Sequence, residues 1–272
     1  MVRSAVTVSI VDEARKGPFV FHGDVRIACS TATELGFDGI ELFAPSADAV
    51  RSLPLAALLK EFGLNLAAVG TGAGMLIRRL TLSDADPNVR RQAIDFIREM
   101  IDVGADFGAP AIIGSMQGRW DARTDYETAM SYLRDGLNEL GDHAATRGIP
   151  LLYEPLNRYE SNLTNTLEQG VNLIQSVNAD GILLLADLFH MNIEEVSVEN
   201  ALSSCMDRIG HVHFVDSNRQ AAGQGHLEFE SVSRALKQAG YRKYVSAEAF
   251  PVPNSEQAAR STIQTIRRYF SH

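Results

Sequence analysis

The sequence has few cysteines, no long apolar run and no excess of basic residues. Its two cysteines, Cys29 and Cys205, lie far apart and form no C-x-x-C pair, which argues against a disulfide framework and against a thiolate zinc site. The longest apolar runs are only as long as a strand, so the sequence predicts no membrane span. The formal net charge of −9 would repel phosphate backbones and argues against nucleic acid as a partner.

The amino-terminal residues show no sign of a secretory signal. Residues 1–17 contain a short apolar stretch that soon meets charged residues, without an A-x-A cleavage site. We interpret this stretch as the first strand and expect a cytoplasmic protein. No low-complexity tract or linker interrupts the chain, and a barrel of eight strands and eight helices takes about 250 residues. We therefore expect one domain over residues 1–272.

The sequence does contain a regular alternation of apolar, strand-like runs and amphipathic, helix-like segments. Eight runs have strand character: Ala5–Val11, Gly39–Phe43, Leu64–Gly70, Ala111–Gly114, Pro150–Glu154, Ile182–Asp187, Ile209–Phe214 and Tyr244–Glu248. Most are unbroken apolar runs, as expected of strands that are covered on both faces. Eight parallel strands alternating with helices predict the α/β fold class and, within it, a closed (β/α)8 TIM barrel.

Helix-start and helix-stop signals support the same alternation. Asp86 before Pro87 predicts a capped helix start, and the pairs Thr124–Glu127 and Asn165–Glu168 have the spacing of a capping box. Five glycines follow helical stretches and precede strands: Gly36, Gly63, Gly108, Gly148 and Gly240. Glycine is the usual residue at such helix ends. These signals indicate strand–helix units throughout the chain.

Four polar residues end successive strand-like runs in the second half of the chain: Glu154, Asp187, His213 and Glu248. Residues at the carboxyl ends of parallel barrel strands converge on one face of the barrel. Three carboxylates crowded there would repel one another unless a cation holds them. With the histidine they offer three oxygen ligands and one nitrogen ligand, which suits Mn²⁺, Mg²⁺, Co²⁺ or Zn²⁺.

Two further strand residues face the same interior. Because side chains alternate along a strand, His211 points the same way as His213. We expect His211 to lie one layer deeper, as a hydrogen-bonded core residue or a support for the metal ligands. Glu41 ends the second strand, and both a pocket-lining role and a structural role are open for it.

Several stretches resemble one superfamily of barrel enzymes. They are EPLNRYE (Glu154–Glu160), ADLFHMN (Ala186–Asn192), HVHFVDSNR (His211–Arg219), GQGHLEF (Gly223–Phe229) and SAEAF (Ser246–Phe250). These stretches resemble the xylose-isomerase-like TIM barrel superfamily of sugar phosphate isomerases and epimerases. Within it the chain looks most like the ketose 3-epimerases, the group that contains D-tagatose 3-epimerase and D-psicose 3-epimerase. The resemblance extends from the first strand to the last helix, and its most specific part is the carboxyl-terminal half.

The resemblance implies roles for individual residues. In that family the residues matching the four strand-end residues hold the metal, and those matching Glu154 and Glu248 also act as acid and base. The residues matching Glu160, His190 and Arg219 contact the sugar. The resemblance implies a divalent metal, with Mn²⁺ expected first, and a dimer or tetramer. Apart from the resemblance, two more residues are candidates. Trp120 could stack on a sugar ring, with simple packing as an equal alternative, and His226 could orient a metal ligand.

The expected reaction is proton transfer on a ketose through a cis-enediolate, with inversion at C3. Proton transfer between C1 and C2 through the corresponding enediolate would instead make the protein an aldose–ketose isomerase. Both a free and a phosphorylated sugar remain open as the substrate. A hydroxypyruvate or other keto-acid isomerase, a 2-keto-inositol isomerase and a dehydratase are alternatives on the same barrel. A non-catalytic sugar-binding subunit ranks lower. A DNA-repair endonuclease would need a histidine-rich zinc site and a basic face, and the sequence has neither.

Overall fold

The protein is described here by a computed structural model, which covers residues 2–270. Nine parallel strands in this part of the chain form one sheet: β1 Arg3–Ser9, β2 Phe21–His22, β3 Gly39–Phe43, β4 Asn65–Gly70, β5 Ala111–Ile113, β6 Leu151–Tyr153, β7 Ile182–Asp187, β8 Ile209–His213 and β9 Tyr244–Ala247. The sheet closes where β1 pairs with β9, with Ala5 opposite Ser246. The fold is the predicted (β/α)8 TIM barrel.

The eight predicted strands are all present, with ends shifted by up to two residues. β2 is an addition that pairs only with β1 and stands outside the closed barrel. Two residues are too few to produce a recognisable hydrophobic period. Glu154 and Glu248, which the sequence placed as the last residues of their strands, each follow directly after β6 and β9. Both therefore lie at the carboxyl-terminal rim of the barrel.

Within residues 2–270, eleven helices connect the strands and cover the outside of the barrel: α1 Val25–Leu35, α2 Ala47–Arg51, α3 Leu55–Phe62, α4 Ala73–Arg78, α5 Pro87–Ala105, α6 Tyr126–Thr146, α7 Leu167–Gln175, α8 Leu188–Glu194, α9 Val198–Cys205, α10 Phe229–Gln238 and α11 Ser255–Phe270. Their apolar faces pack inward; α5, for example, buries Phe96, Met100 and Ile101. Burial of each such side chain contributes about 1.5–3 kcal/mol. None of the helices in residues 2–270 has both the length and the apolar character needed to cross a membrane.

The helix caps agree with the sequence in kind, though not always in position. Asp86 caps α5, because its carboxylate accepts a hydrogen bond from a backbone amide of the first turn. The two predicted capping boxes are wrong by one residue: the N-caps are Asp125 instead of Thr124, and Thr166 instead of Asn165. Thr166 forms a true capping box with the glutamine three residues later. The five predicted helix-stop glycines all have φ between 65° and 81°, a region that favours glycine.

The alternation of side chains along the strands separates an outer core from a barrel interior. The large outer core lies between strands and helices. A small second cluster faces the interior. It consists of one residue from each of β4, β5, β6 and β7: Ala68, Ile112, Leu152 and Leu185. His211 and His213 are both buried on this inner side, as the strand period predicts. The interior is thus apolar at depth and polar toward the carboxyl ends of the strands.

Candidate active site

The four predicted strand-end residues meet at the carboxyl-terminal rim of the barrel. The Nδ1 atom of His213 lies 3.1 Å from Asp187 Oδ2, 3.5 Å from Glu154 Oε1 and 3.5 Å from Glu248 Oε2. One ligand atom from each residue lies within 4.8 Å of all the others. Only Glu248 is partly exposed. We call these four residues the quartet.

The quartet fits a divalent cation. Atoms that bind one ion at about 2.1 Å lie roughly 3.0–3.5 Å from one another in octahedral or tetrahedral sites, and the distances around His213 Nδ1 fall in this range. Glu154 Oε1 is buried and has no hydrogen-bond partner within residues 2–270. A buried carboxylate oxygen without a partner is costly, and a metal ion would satisfy it. The three oxygens and one nitrogen are donors that Mn²⁺, Mg²⁺, Co²⁺ and Zn²⁺ accept.

The electrostatics of the quartet reflect three acids around one imidazole. Burial, helped by the neighbouring carboxylates, raises the pKa of Glu154 to about 7. Burial would also raise the pKa of Asp187, but the adjacent His190, His213 and Arg219 outweigh it and hold the pKa well below its usual range. Burial opposes the charging of His213, yet the surrounding carboxylates raise its pKa well above the ordinary value. The pocket therefore favours added positive charge.

His190, on α8, presents a neutral N–H group to the site. Its Nδ1 lies 2.7 Å from the side-chain nitrogen of Asn157 and 3.3 Å from the backbone nitrogen of the same residue. Nδ1 therefore accepts, and the ring proton is on Nε2, which lies 3.8 Å from Glu154 Oε1. Burial lowers the pKa of His190 to about 4. Asn157, which the sequence did not single out, sets the tautomer of this histidine.

Arg219 and Glu160 lie next to the quartet. Arg219 Nη2 is 2.6 Å from Glu248 Oε2, and Nη1 is 3.2 Å from Glu160 Oε1. The guanidinium also lies over the Phe189 ring, 4.8 Å from its centroid. The backbone of Arg219 has φ 59°, an uncommon conformation for a non-glycine residue that concentrates at functional sites. All three predicted sugar contacts thus adjoin the quartet.

The loop after β8 that carries Arg219 is organised by a buried acid. The Asp216 carboxylate accepts hydrogen bonds from the backbone amides of Ser217, Gly223 and Leu227. The prediction that His226 supports a metal ligand is wrong, because its Nδ1 contacts the Ser217 hydroxyl at 2.8 Å. The sequence motif GQGH therefore shapes the loop rather than the quartet.

A cavity of about 440 Å³ opens above the quartet, a size typical of small-molecule sites. Its floor includes the quartet members Glu154, His213 and Glu248, together with Glu41. The lining also includes the apolar residues Phe19, Phe43, Met75 and Leu76, and the two phenylalanine rings stack with their centroids 4.4 Å apart. Trp120 is 42% exposed and is not part of the cavity lining. The predicted stacking role of Trp120 is therefore not supported.

Two residues after β5, Gly114 and Gln117, position Glu154. Neither was assigned a role from the sequence. Gln117 is fully buried, and its side-chain nitrogen donates to the Glu154 backbone oxygen at 3.0 Å. The Gln117 side-chain oxygen accepts from the Tyr153 hydroxyl at 2.6 Å. A Cβ atom at Gly114 would lie 2.5 Å from Glu154 Oε2. Glycine at this position leaves the space that the carboxylate occupies.

We expect Gly114→Ala to lower turnover by about 100-fold, because a displacement of about 1 Å in a reacting group costs that much. The new methyl group must push the Glu154 carboxylate aside. Steady-state kinetics at saturating metal and a thermal melt would measure activity and stability together. Ser204→Ala, at an exposed position of α9 outside the cavity lining, is the control and should leave both unchanged. Wild-type turnover in Gly114→Ala would show that the Glu154 position is not critical.

Comparisons with known proteins agree on one family. The family model described as xylose isomerase-like TIM barrel matches residues 29–269. An L-ribulose 3-epimerase of Mesorhizobium japonicum is 32% identical over 84% of this chain and 76% of the relative. A D-psicose 3-epimerase of Agrobacterium fabrum is 30% identical over 87% and 80%. The crystal structure of a D-allulose 3-epimerase from Methylomonas sp. superposes with a TM-score of 0.83 at 25% identity, covering 99% of this chain and 98% of that one.

Proposed function

Because this chain belongs to the xylose isomerase-like TIM barrel family, we propose that it inverts C3 of a ketose by proton transfer. Its relatives are sugar epimerases, and the chain is an isomerase of that class. The observation that carries the C3 proposal is the pair Glu154 and Glu248, two carboxylates that share one cavity. They follow β6 and β9, two strands that are separated in the barrel by β7 and β8.

The quartet is the proposed metal site, and Mn²⁺ is the proposed ion, with Mg²⁺, Co²⁺ and Zn²⁺ as alternatives. A bound divalent ion supplies Lewis-acid polarisation of a substrate carbonyl, which makes the adjacent C–H bond more acidic. Asp187 and His213 hold the ion and take no part in the proton exchange. Glu154 and Glu248 serve both as ligands and as the groups that exchange the proton.

The proposed reaction needs one carboxylate on each face of the sugar. One of Glu154 and Glu248 removes the C3 proton and produces a cis-enediolate. The other carboxylate returns a proton to the opposite face of C3, and the configuration inverts. The separation of β6 and β9 around the barrel supports this arrangement. Return of the proton to the neighbouring carbon would instead move the carbonyl group.

His190, Arg219 and Glu160 are the proposed contacts to the carbonyl end of the sugar. The Nε2–H group of His190 donates a hydrogen bond to a sugar oxygen. Arg219 places a positive charge beside the sugar oxygens on which negative charge develops. Fixed charges of this kind stabilise enediolates in sites that exclude water. Glu160 accepts a hydrogen bond from Arg219 at 3.2 Å and keeps the guanidinium in the cavity.

Proton exchange in D₂O tests the proposed function. Metal-stripped protein would be reloaded with Mn²⁺ and incubated with free and phosphorylated ketoses, and the recovered sugars would be examined by NMR after the ion is removed. We expect deuterium at C3 together with a new epimer, and no exchange in a chelator control. Deuterium only at C1 or C2 would instead identify an aldose–ketose isomerase. Absence of exchange from every sugar would contradict ketose chemistry and direct the search to keto-acids and inositols.

A further inference from the structure

Glu41 reaches across the barrel interior to two histidines of β8. The residue is 4% exposed. Its Oε2 lies 2.8 Å from His211 Nε2, and its Oε1 lies 3.1 Å from His213 Nε2. Glu41 belongs to β3, and β1 and β9 separate that strand from β8 on the shorter path around the barrel. Each carboxylate oxygen therefore has one imidazole partner, and both contacts are buried.

The Glu41 contact determines which nitrogen of His213 can bind a metal ion. A carboxylate accepts hydrogen bonds, so the nitrogen facing it must carry a proton, and a neutral imidazole then has its lone pair on the other nitrogen. In His213 that other nitrogen is Nδ1, which lies 3.1–3.5 Å from the three quartet carboxylates. In the metal-free protein Nδ1 faces carboxylates as well and carries a proton. A divalent ion at the quartet would displace that proton while Glu41 keeps the other proton on Nε2, so that the Nδ1 lone pair would be directed toward the ion.

Glu41, His211 and His213 could themselves be read as a second metal site, but their distances indicate hydrogen bonds. The 2.8 Å between Glu41 Oε2 and His211 Nε2 is an ordinary hydrogen-bond length. It is shorter than the roughly 3.0 Å that separates neighbouring ligands of one ion. The His211 ring also packs edge-on against His213, at an interplanar angle of 89°. His211 therefore forms a hydrogen bond with the Glu41 oxygen that does not contact His213, and its ring packs against the imidazole of His213.

We propose that Glu41, supported by His211, is a positioning residue that fixes the orientation and tautomer of the His213 imidazole for metal binding. The inference rests on the proposed metal site. Carboxylates that accept a hydrogen bond from a metal-bound histidine commonly orient the ring and raise its basicity. Burial of an acid is costly unless it is well paired, and its two imidazole partners offset that cost here.

Glu41→Gln tests the proposal through metal affinity. Glutamine has only one acceptor oxygen, so one imidazole must face the amide NH₂ group and give up its proton at Nε2. If that imidazole is His213, its Nδ1 is protonated and unable to bind metal. If it is His211, His213 still loses the negative charge that raises the basicity of its ring. We expect the affinity for Mn²⁺, measured by competition with a chelator, to fall about 10–100-fold. Glu13→Gln, the same substitution at the exposed mouth of the cavity, should leave the affinity unchanged.

A spectroscopic readout separates positioning from a general structural role. In the Zn²⁺-loaded wild-type protein, ¹⁵N NMR should show His213 with a proton on Nε2 and the metal on Nδ1. Glu41→Asp and His211→Gln are second variants in case Glu41→Gln fails to fold, and we expect affinity losses of only a few-fold from each. Wild-type metal affinity in Glu41→Gln, or in both second variants if it does not fold, would overturn the proposal. A proton on Nδ1 of His213 in the Zn²⁺-loaded wild type would overturn it as well.

These measurements remain separate from the proposed reaction, because they follow metal binding rather than turnover. A protein that binds metal through His213 Nδ1 but inverts no ketose would contradict the proposed function and leave the positioning role intact. A wild-type protein that binds no divalent metal would overturn both.

Discussion

Replacement of Glu154 or Glu248 by glutamine is expected to lower the rate of epimerisation at least about 1,000-fold. Each substitution removes one of two groups that must move a proton, and a positioned acid or base contributes roughly 10²–10⁴-fold. Glutamine has nearly the same shape and keeps one oxygen for the metal, so the fold should be retained. Turnover should be measured at excess Mn²⁺, with metal content determined for each variant.

The two variants should also differ from each other in a way that loss of metal would not produce. If each carboxylate serves one face of C3, each variant retains hydrogen–deuterium exchange from one epimer without inverting it. Exchange from the other epimer should be lost. Glu139→Gln, on the outer helix α6 in ion pairs with Arg91 and Arg98, is the matched control and should behave as wild type. Full activity in either site variant would remove that residue from the acid–base pair.

Asp187→Asn is expected to weaken metal binding at least about 100-fold while leaving the metal-free fold intact. The two oxygens of Asp187 serve different purposes. Oδ1 caps α8, accepting hydrogen bonds from the backbone nitrogens of Phe189 at 2.8 Å and His190 at 3.1 Å. Oδ2 lies 3.1 Å from His213 Nδ1. Asparagine is an equally good N-cap, but it removes the negative charge that a divalent ion requires.

Asp187→Ala is the companion variant for this prediction. It loses the cap as well as the ligand, so its metal-free form should be less stable than Asp187→Asn by about 1 kcal/mol. Chelator competition would measure metal affinity, and thermal or urea unfolding of the stripped proteins would measure stability. Equal metal affinities of wild type and Asp187→Asn would exclude Asp187 as a ligand. Equal stabilities of the two variants would show that the cap contributes little.

The barrel and the proximity of the quartet were predictable because both depend on local patterns. Eight apolar runs separated by helical segments define the fold, and parallel strands bring their carboxyl ends together whatever the sequence between them. Glu154 and His213 could therefore be placed on one rim from strand position alone. The resemblance then added Glu160, His190 and Arg219, none of which ends a strand. The structure brings all of them to one cavity, and their roles remain predictions.

The supporting contacts were not predictable, because they join residues that no local pattern connects. The contacts of Glu41 with β8 span 170 and 172 residues, and strand alternation shows only that the side chains face inward. Gln117 follows β5 in a loop whose path the sequence does not specify. Helix starts were off by one residue where two polar candidates adjoin, as with Thr124 and Asp125. In both cases, at α6 and α7, the cap is the residue whose side-chain oxygen accepts a hydrogen bond from the backbone nitrogen three residues later.

The pairing of β1 with β9, which closes the barrel, has a consequence for biosynthesis. The first strand leaves the ribosome early and cannot complete its pairing until the last strand has been made. Glu248 follows β9 directly, so the fourth quartet member arrives only at that final step. Domains fold as units once their chain is available. A nascent chain therefore cannot assemble the complete quartet before β9 and Glu248 have been made.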